Sequence, residues 1–177
     1  VAGAVLDGSE GAAITANSLS ITAASVGTAD NALDTDVDTL ALSLGNGAAN
    51  VSEANALTLT SATTGALSLS AAGSLNAQSV MASGAVTLSV TGTDATLTVD
   101  RLSGGAAVSL SAAGDVVANS VMAGGAVTVN VTGTGDLTLG NVEAQNQSVT
   151  LNVAGAVLDG SEGAAITANS LSITAAS

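Results

Sequence analysis

Short runs in which apolar and polar residues alternate recur along the whole chain. They read "SLSITAAS" from Ser18, "TLALSLGN" from Thr39, "ALSLSAAG" from Ala66 and "AVTLSVTG" from Ala85. They continue as "AVSLSAAG" from Ala107, "AVTVNVTG" from Ala126, "SVTLNVAG" from Ser148 and "SLSITAAS" again from Ser170. Successive starts are 21, 27, 19, 22, 19, 22 and 22 residues apart, a total of 152. Alternation with period two belongs to a strand with one buried face and not to a helix. A second alternating run follows most of these phrases, as in "ATLTV" at 95–99, "DVVAN" at 115–119 and "DLTLG" at 136–140. Gly, Asn, Asp and Ser separate the runs, as turns require. Two or three short strands per period, with no helix signal between them, predict one coil of a parallel β-solenoid. The expected fold class is therefore all-β, with about seven coils per 152 residues and one irregular long coil at 39–65, where the step is 27. An up-and-down antiparallel sheet is the competing arrangement. It does not account for a constant period or for phrases that all run in one sense.

Stacking the phrases predicts two aliphatic columns. One holds Leu19, Leu40, Leu67, Val86, Val108, Val127, Val149 and Leu171. Its neighbour holds Ile21, Leu42, Leu69, Leu88, Leu110, Val129, Leu151 and Ile173. Gln78, Asp100, Asn119 and Asn141 each lie seven residues before a phrase. Amide side chains that recur at one corner of each coil can stack and hydrogen-bond to one another. These four are the expected structural polar ladder, with Arg101 beside the one carboxylate in it. The alternative is four independent turn residues.

Two longer repeats frame the short ones. Residues 74–114 and 115–155 share "SVMA", "GAVT", "VTGT" and a terminal "AG". Residues 153–177 repeat residues 1–25 without a change, 152 residues on. The expected organisation is 1–152 as one full tandem unit and 153–177 as the start of the next identical unit, with no separate domains. Neither segment reads as a solenoid cap. The expected partners are adjacent copies of the same repeat stacked along one axis.

Composition narrows the function. The chain has 47% hydrophobic residues but no Phe, Tyr, Trp, Pro, Cys or His, so the core must be thin and aliphatic. One Lys or Arg against 14 carboxylates leaves a net charge of −13. Nucleic acid and anionic membrane surfaces both need clustered Lys and Arg, so neither is an expected partner. No eighteen-residue apolar run is present, and a membrane barrel would want aromatic girdles. With no His or Cys, no G-x-S-x-G elbow and no aromatic sugar platform, no catalytic machinery is expected. No cofactor is expected either, calcium apart.

Calcium enters through "DNALDTDVDTL". Asp34, Asp36 and Asp38 alternate, so on a strand they share one face, with Leu33 and Val37 on the other. Three carboxylates in line can hold Ca²⁺, which takes six to eight oxygens. The resemblance to an EF-hand loop fails at its sixth position, Thr39, and at its twelfth, Gly45. The alternative is a solvated acidic face. "LDGSEGAA" at 6–13 and 159–166 offers Asp7 with Glu10 and Asp159 with Glu162, expected as turns whose acids face water. Met81 and Met122 occupy equal places in the forty-one-residue repeats and are expected to fill gaps at a corner or an interface.

"GDLTLGNVEAQNQSVTLNVAG" at 135–155 resembles the repeats of filamentous-haemagglutinin-like exoproteins and related giant bacterial surface adhesins. "GTADNALDTDVDTLALS" at 27–43 is similar to segments of such repeat-rich proteins. The resemblance covers essentially the whole chain. It implies a right-handed parallel β-helix, export to the cell surface or medium, and an adhesive or filament-forming role. The expected function is the structural shaft of an extracellular fibre, sheath or adhesin. Lateral self-association and a host or partner-cell surface are its further expected contacts. The alternative is a surface recognition module for carbohydrate, a partner cell or ice, or a calcium-stiffened scaffold.

Overall fold

Ala, Ser, Leu, Val and Thr make up most of the alternating runs, and the Val, Leu and Thr among them suit a pleated strand with one dry face. The computed structural model describes residues 3–8 and 11–176, and these runs form eighteen strands in it. All strand pairings among the described residues are parallel. The chain winds as a β-solenoid of about eight turns, with no helix among the described residues.

One turn shows the plan. Val86–Val90, Leu97–Val99 and Leu102–Gly104 form three sides, and Val108 then returns over Val86. Val86, Leu88, Val90, Leu97, Val99, Leu102 and Gly104 point inward and are buried. Stacked turn on turn, these positions make columns 1 to 7, in that order. Column 2 carries Val51, Leu69, Leu88, Leu110, Val129 and Leu151. Column 5 carries Leu19, Leu40, Leu59, Ala77, Val99, Ala118 and Leu139. Burying one such Leu or Val contributes about 1.5–3 kcal/mol, and the backbone ladder fixes which residue it meets. Close corners need glycine at particular places. Gly27 has φ +56°, and a Cβ there would collide with the Asn50 carbonyl oxygen of the next turn.

The register departs from the sequence expectation between residues 39 and 67. Leu40 is covered by Leu59 and not by Leu67. Leu67 sits over Ala49, which sits over Val26. The 27-residue step therefore holds one ordinary turn plus three further columns, and no long coil exists at 39–65. Both expected columns break there. Leu19 and Leu40 belong to column 5, whereas Leu67, Val86, Val108, Val127, Val149 and Leu171 belong to column 1. Ile21 and Leu42 belong to column 6, and Leu69 onward to column 2. A bulge marks the change, because it ends the one-residue spacing between columns 5 and 6 that made those columns read as a phrase. Leu40 pairs with Leu59 but Ala41 with Ser61, so Thr60 is an extra residue, and its hydroxyl donates to the Leu40 carbonyl at 3.1 Å. One residue separates Leu19 from Ile21 and Leu40 from Leu42. Two, such as Gln78 and Ser79, separate columns 5 and 6 in later turns.

The identical end segments are consequently not related by a pure shift of seven coils along the axis. Val5 lies in column 1 beneath Val26, while its copy Val157 lies in column 4 on Leu137. Leu19 lies in column 5 beneath Leu40, while Leu171 lies in column 1 on Val149. The 152-residue period winds seven turns plus three columns of an eighth.

Candidate functional site

Column 3 contains the most unusual inward side chain. Glu53 stacks between Thr35 and Ala71 at a position where later turns place Val or Ala, and it is 2% exposed. Its Oε2 accepts the Thr35 hydroxyl at 2.7 Å. The Val37 N–H donates to both carboxylate oxygens, at 3.1 and 3.3 Å, and the Asn55 N–H donates to Oε1 at 3.3 Å. The backbone explains the need. The strand Leu33–Ser43 runs straight through Val37, whereas the next turn bends at 54–56 before Leu57. The Val37 N–H thus faces a corner where no strand carbonyl meets it. A buried N–H without an acceptor is costly, and Glu53 supplies the acceptor. The sequence signal was present in "NVSEA", where Glu53 shares the parity of inward Val51.

Asp34, Asp36 and Asp38 do point outward from one strand, opposite inward Leu33, Thr35 and Val37. Their surroundings differ. The Asp34 N–H donates to Asp7 Oδ2 at 3.0 Å, and Asp36 Oδ1 accepts from Asn55 Nδ2 of the next turn. Asp38 is exposed at the corner. Among the described residues no three acidic side chains converge as cation ligands.

Asp7 does not face water as the turn expectation had it. It is 8% exposed at the column 2 position beneath Leu33, and its carbonyl accepts from Asn31 Nδ2 at 3.0 Å. Glu10 lies outside the described residues. The copy, Asp159, is exposed as expected, as is Glu162. Asp159 Oδ1 accepts the Ser161 hydroxyl at 2.7 Å and the Ser161 N–H at 2.8 Å. The hydroxyl first, and the N–H second, hold its carboxyl below the ordinary 3.8, against a small opposing effect of lost hydration.

Of the expected ladder, Asp100 and Asn119 stack, with Asn119 Nδ2 donating to Asp100 Oδ1 at 3.0 Å. Gln78 takes the same corner one turn earlier, after Ala77. Asn141 lies one place on. It pairs with Ser120, because Leu139 is the partner of Ala118 and Gly140 takes the position over Asn119. A second ladder, not read from the sequence, runs along the corner before column 4. The Thr96 N–H donates to Ser74 Oγ at 3.1 Å, the Asp136 N–H to Asp115 Oδ1 at 2.8 Å and the Ala156 N–H to Asp136 Oδ1 at 2.7 Å. Each short acceptor caps the N–H arriving from the next turn.

Two exposed surfaces complete the inventory. Met81 and Met122 stand outward, 60% and 44% exposed, on either side of Ser103. With Arg101 they line an open groove of about 390 Å³. The outer face of the first side is free of charge from Asn50 to Thr174. Ser68, Thr87, Ser109, Thr128, Thr150 and Ser172 form one rank there. A parallel rank runs through Ser70, Ser89, Ser111, Asn130 and Asn152, with Asn152 Nδ2 donating to Asn130 Oδ1 at 2.9 Å. No protein-family model, curated protein or solved structure matches the chain.

Proposed function

We propose that the chain is a load-bearing segment of an extracellular shaft, the rod of a bacterial fibre, sheath or adhesin. The observation that carries this reading is the set of continuous inward columns. Each turn buries its aliphatic face against the turns above and below it, so length adds without a new core. The buried polar groups described above, Glu53 and Asp7, serve backbone N–H groups of neighbouring turns. That is the work of a scaffold, and the reading assigns the chain no chemical step. The resemblance of 135–155 to surface exoproteins supports export, and a chain without cysteine folds alike in oxidising and reducing surroundings. The experiment is electron microscopy of cells that make the protein, with antibody against residues 86–131. Labelled extracellular rods support the reading, and label confined within intact cells overturns it.

A second reading is favoured by the charge-free face. On a chain of net charge −13, one side presents only hydroxyls and amides from Asn50 to Thr174, spaced about 4.8 Å along the axis. Such a surface offers hydrogen bonds to a neutral polymer such as a polysaccharide. Thr87→Asp and Thr128→Asp, both outward, test it. Loss of polysaccharide retention with unchanged folding supports recognition, and unchanged or absent retention removes it.

A further inference from the structure

The strand Ile166–Ala175 at one end of the solenoid leaves Leu171 and Ile173 48% and 49% exposed. Its residues 166–174 have the same sequence as 14–22. The structure therefore shows one segment from both sides. At 14–22 its upper neighbour is Leu33–Ser43, with Leu19 on Leu40 and Ile21 on Leu42. At 166–174 its lower neighbour is Leu137–Val153, with Leu171 on Val149 and Ile173 on Leu151. Both faces of this segment are apolar-in and polar-out, and both pair in parallel register.

We infer that the edge Ile166–Ala175 is a docking surface for the next copy of this repeat in tandem, whose residues equivalent to Leu33–Ser43 cover it. We further infer that the joined units turn relative to one another by three of the seven columns. The inference rests on the shaft reading and adds its geometry. The rotation is forced by the register already present, since the shared segment enters at column 1 in one copy and column 4 in the other. The rise per unit is about 36 Å, for seven turns and three columns at about 4.8 Å per turn. Column interchange is physically cheap at this edge because the segment's apolar residues meet Leu40 and Leu42 in one copy and Val149 and Leu151 in the other, so Leu and Ile find an aliphatic neighbour in either place. Charge allows the junction as well. Thr167 would lie under the equivalent of Asp36, as Thr15 lies under Asp36 now.

The acidic segment between Asp7 and Ile14 joins columns 2 and 3, and its copy between Asp159 and Ile166 joins columns 5 and 6. In an array this acidic segment would spiral around the shaft and return to one face only after seven units. The uncharged first side would be interrupted in the same way. A rod built so presents every surface feature in all directions and offers no long uniform stripe for bundling.

Two measurements test this. The chain has no cysteine of its own, so pairs can be placed freely. A short bifunctional thiol reagent should join Ser172→Cys to Thr150→Cys, its present neighbour. It should not join Ser172→Cys to Asn141→Cys, which a pure axial repeat would place beside it. Joining of the Asn141 pair, or of neither pair, overturns the rotation. The second measurement is cryo-electron microscopy of a two-unit chain, residues 1–177 followed by 26–177. One continuous solenoid with the two units rotated by three columns is expected. A continuous solenoid with the units in line overturns the inference and leaves the shaft reading standing. Two beads at variable angles overturn the shaft reading itself.

Discussion

At the scale of single residues, inward or outward parity decides cost. Leu88 is fully buried in column 2, and Ser89 beside it points outward. Leu88→Asp puts an unpaired charge among aliphatic neighbours, and a loss of about 4 kcal/mol or more is expected. Ser89→Asp should stay within about 1 kcal/mol, and denaturant unfolding of the two variants separates them. Glu53 breaks the parity rule for polar side chains, because its carboxylate replaces a missing backbone acceptor. Glu53→Ala should cost about 3 kcal/mol, since the Val37 N–H and Thr35 hydroxyl lose their partner inside the coil. Thr64 is the opposite case. It is inward at 1% exposure, and its hydroxyl lacks a hydrogen-bond partner. Thr64→Val keeps the shape and removes the buried hydroxyl, so a gain of about 1 kcal/mol is expected in the same assay.

At the scale of elements, alternation revealed the strands and turn residues revealed the corners. The side of the coil on which each strand lies was not legible. "TLALSL" from Thr39 and "ALSLSA" from Ala66 look alike as text, yet the first spans columns 5 and 6 and the second columns 1 and 2. Only the parallel partner tells them apart, and that depends on the Thr60 bulge and on the Gly27–Ala32 loop between Val26 and Leu33. Of the corner ladder, Asp100 and Asn119 followed from spacing. Asn141 did not, because the extra residue lies after it, where the strand shifts register between Ala144 and Ser148, so counting back from the phrase lands one place past the corner. Nor did spacing show that Asp115 and Asp136 cap N–H groups, since that depends on which way the corner peptide faces. The Asp159–Ser161 turn adds a pH dependence. Its lowered carboxyl stabilises the turn above the ordinary 3.8, and this is lost as pH falls through the lower folded value. Carbon-detected titration by nuclear magnetic resonance should place the Asp159 midpoint below 3.8, and Ser161→Ala should bring it back toward 3.8.

At the scale of the whole molecule, the duplicated ends carry the most information. The sequence showed that 153–177 equals 1–25, and from this an axial repeat of whole coils was the simple expectation. The winding adds three columns, because turn length varies with each loop and bulge while the repeat counts only residues. A solenoid with non-integral winding keeps its core continuous, with backbone ladders on three sides, and turns its surface. All of this rests on parallel coils stacked in one register, and the most direct measurement is residue-level. Solid-state or solution nuclear magnetic resonance on the chain with selectively labelled Leu and Val methyls should show Leu40 in contact with Leu59, and Leu67 with Val86. Contacts of Leu40 with Leu67, or antiparallel cross-strand patterns between sequential phrases, would contradict it.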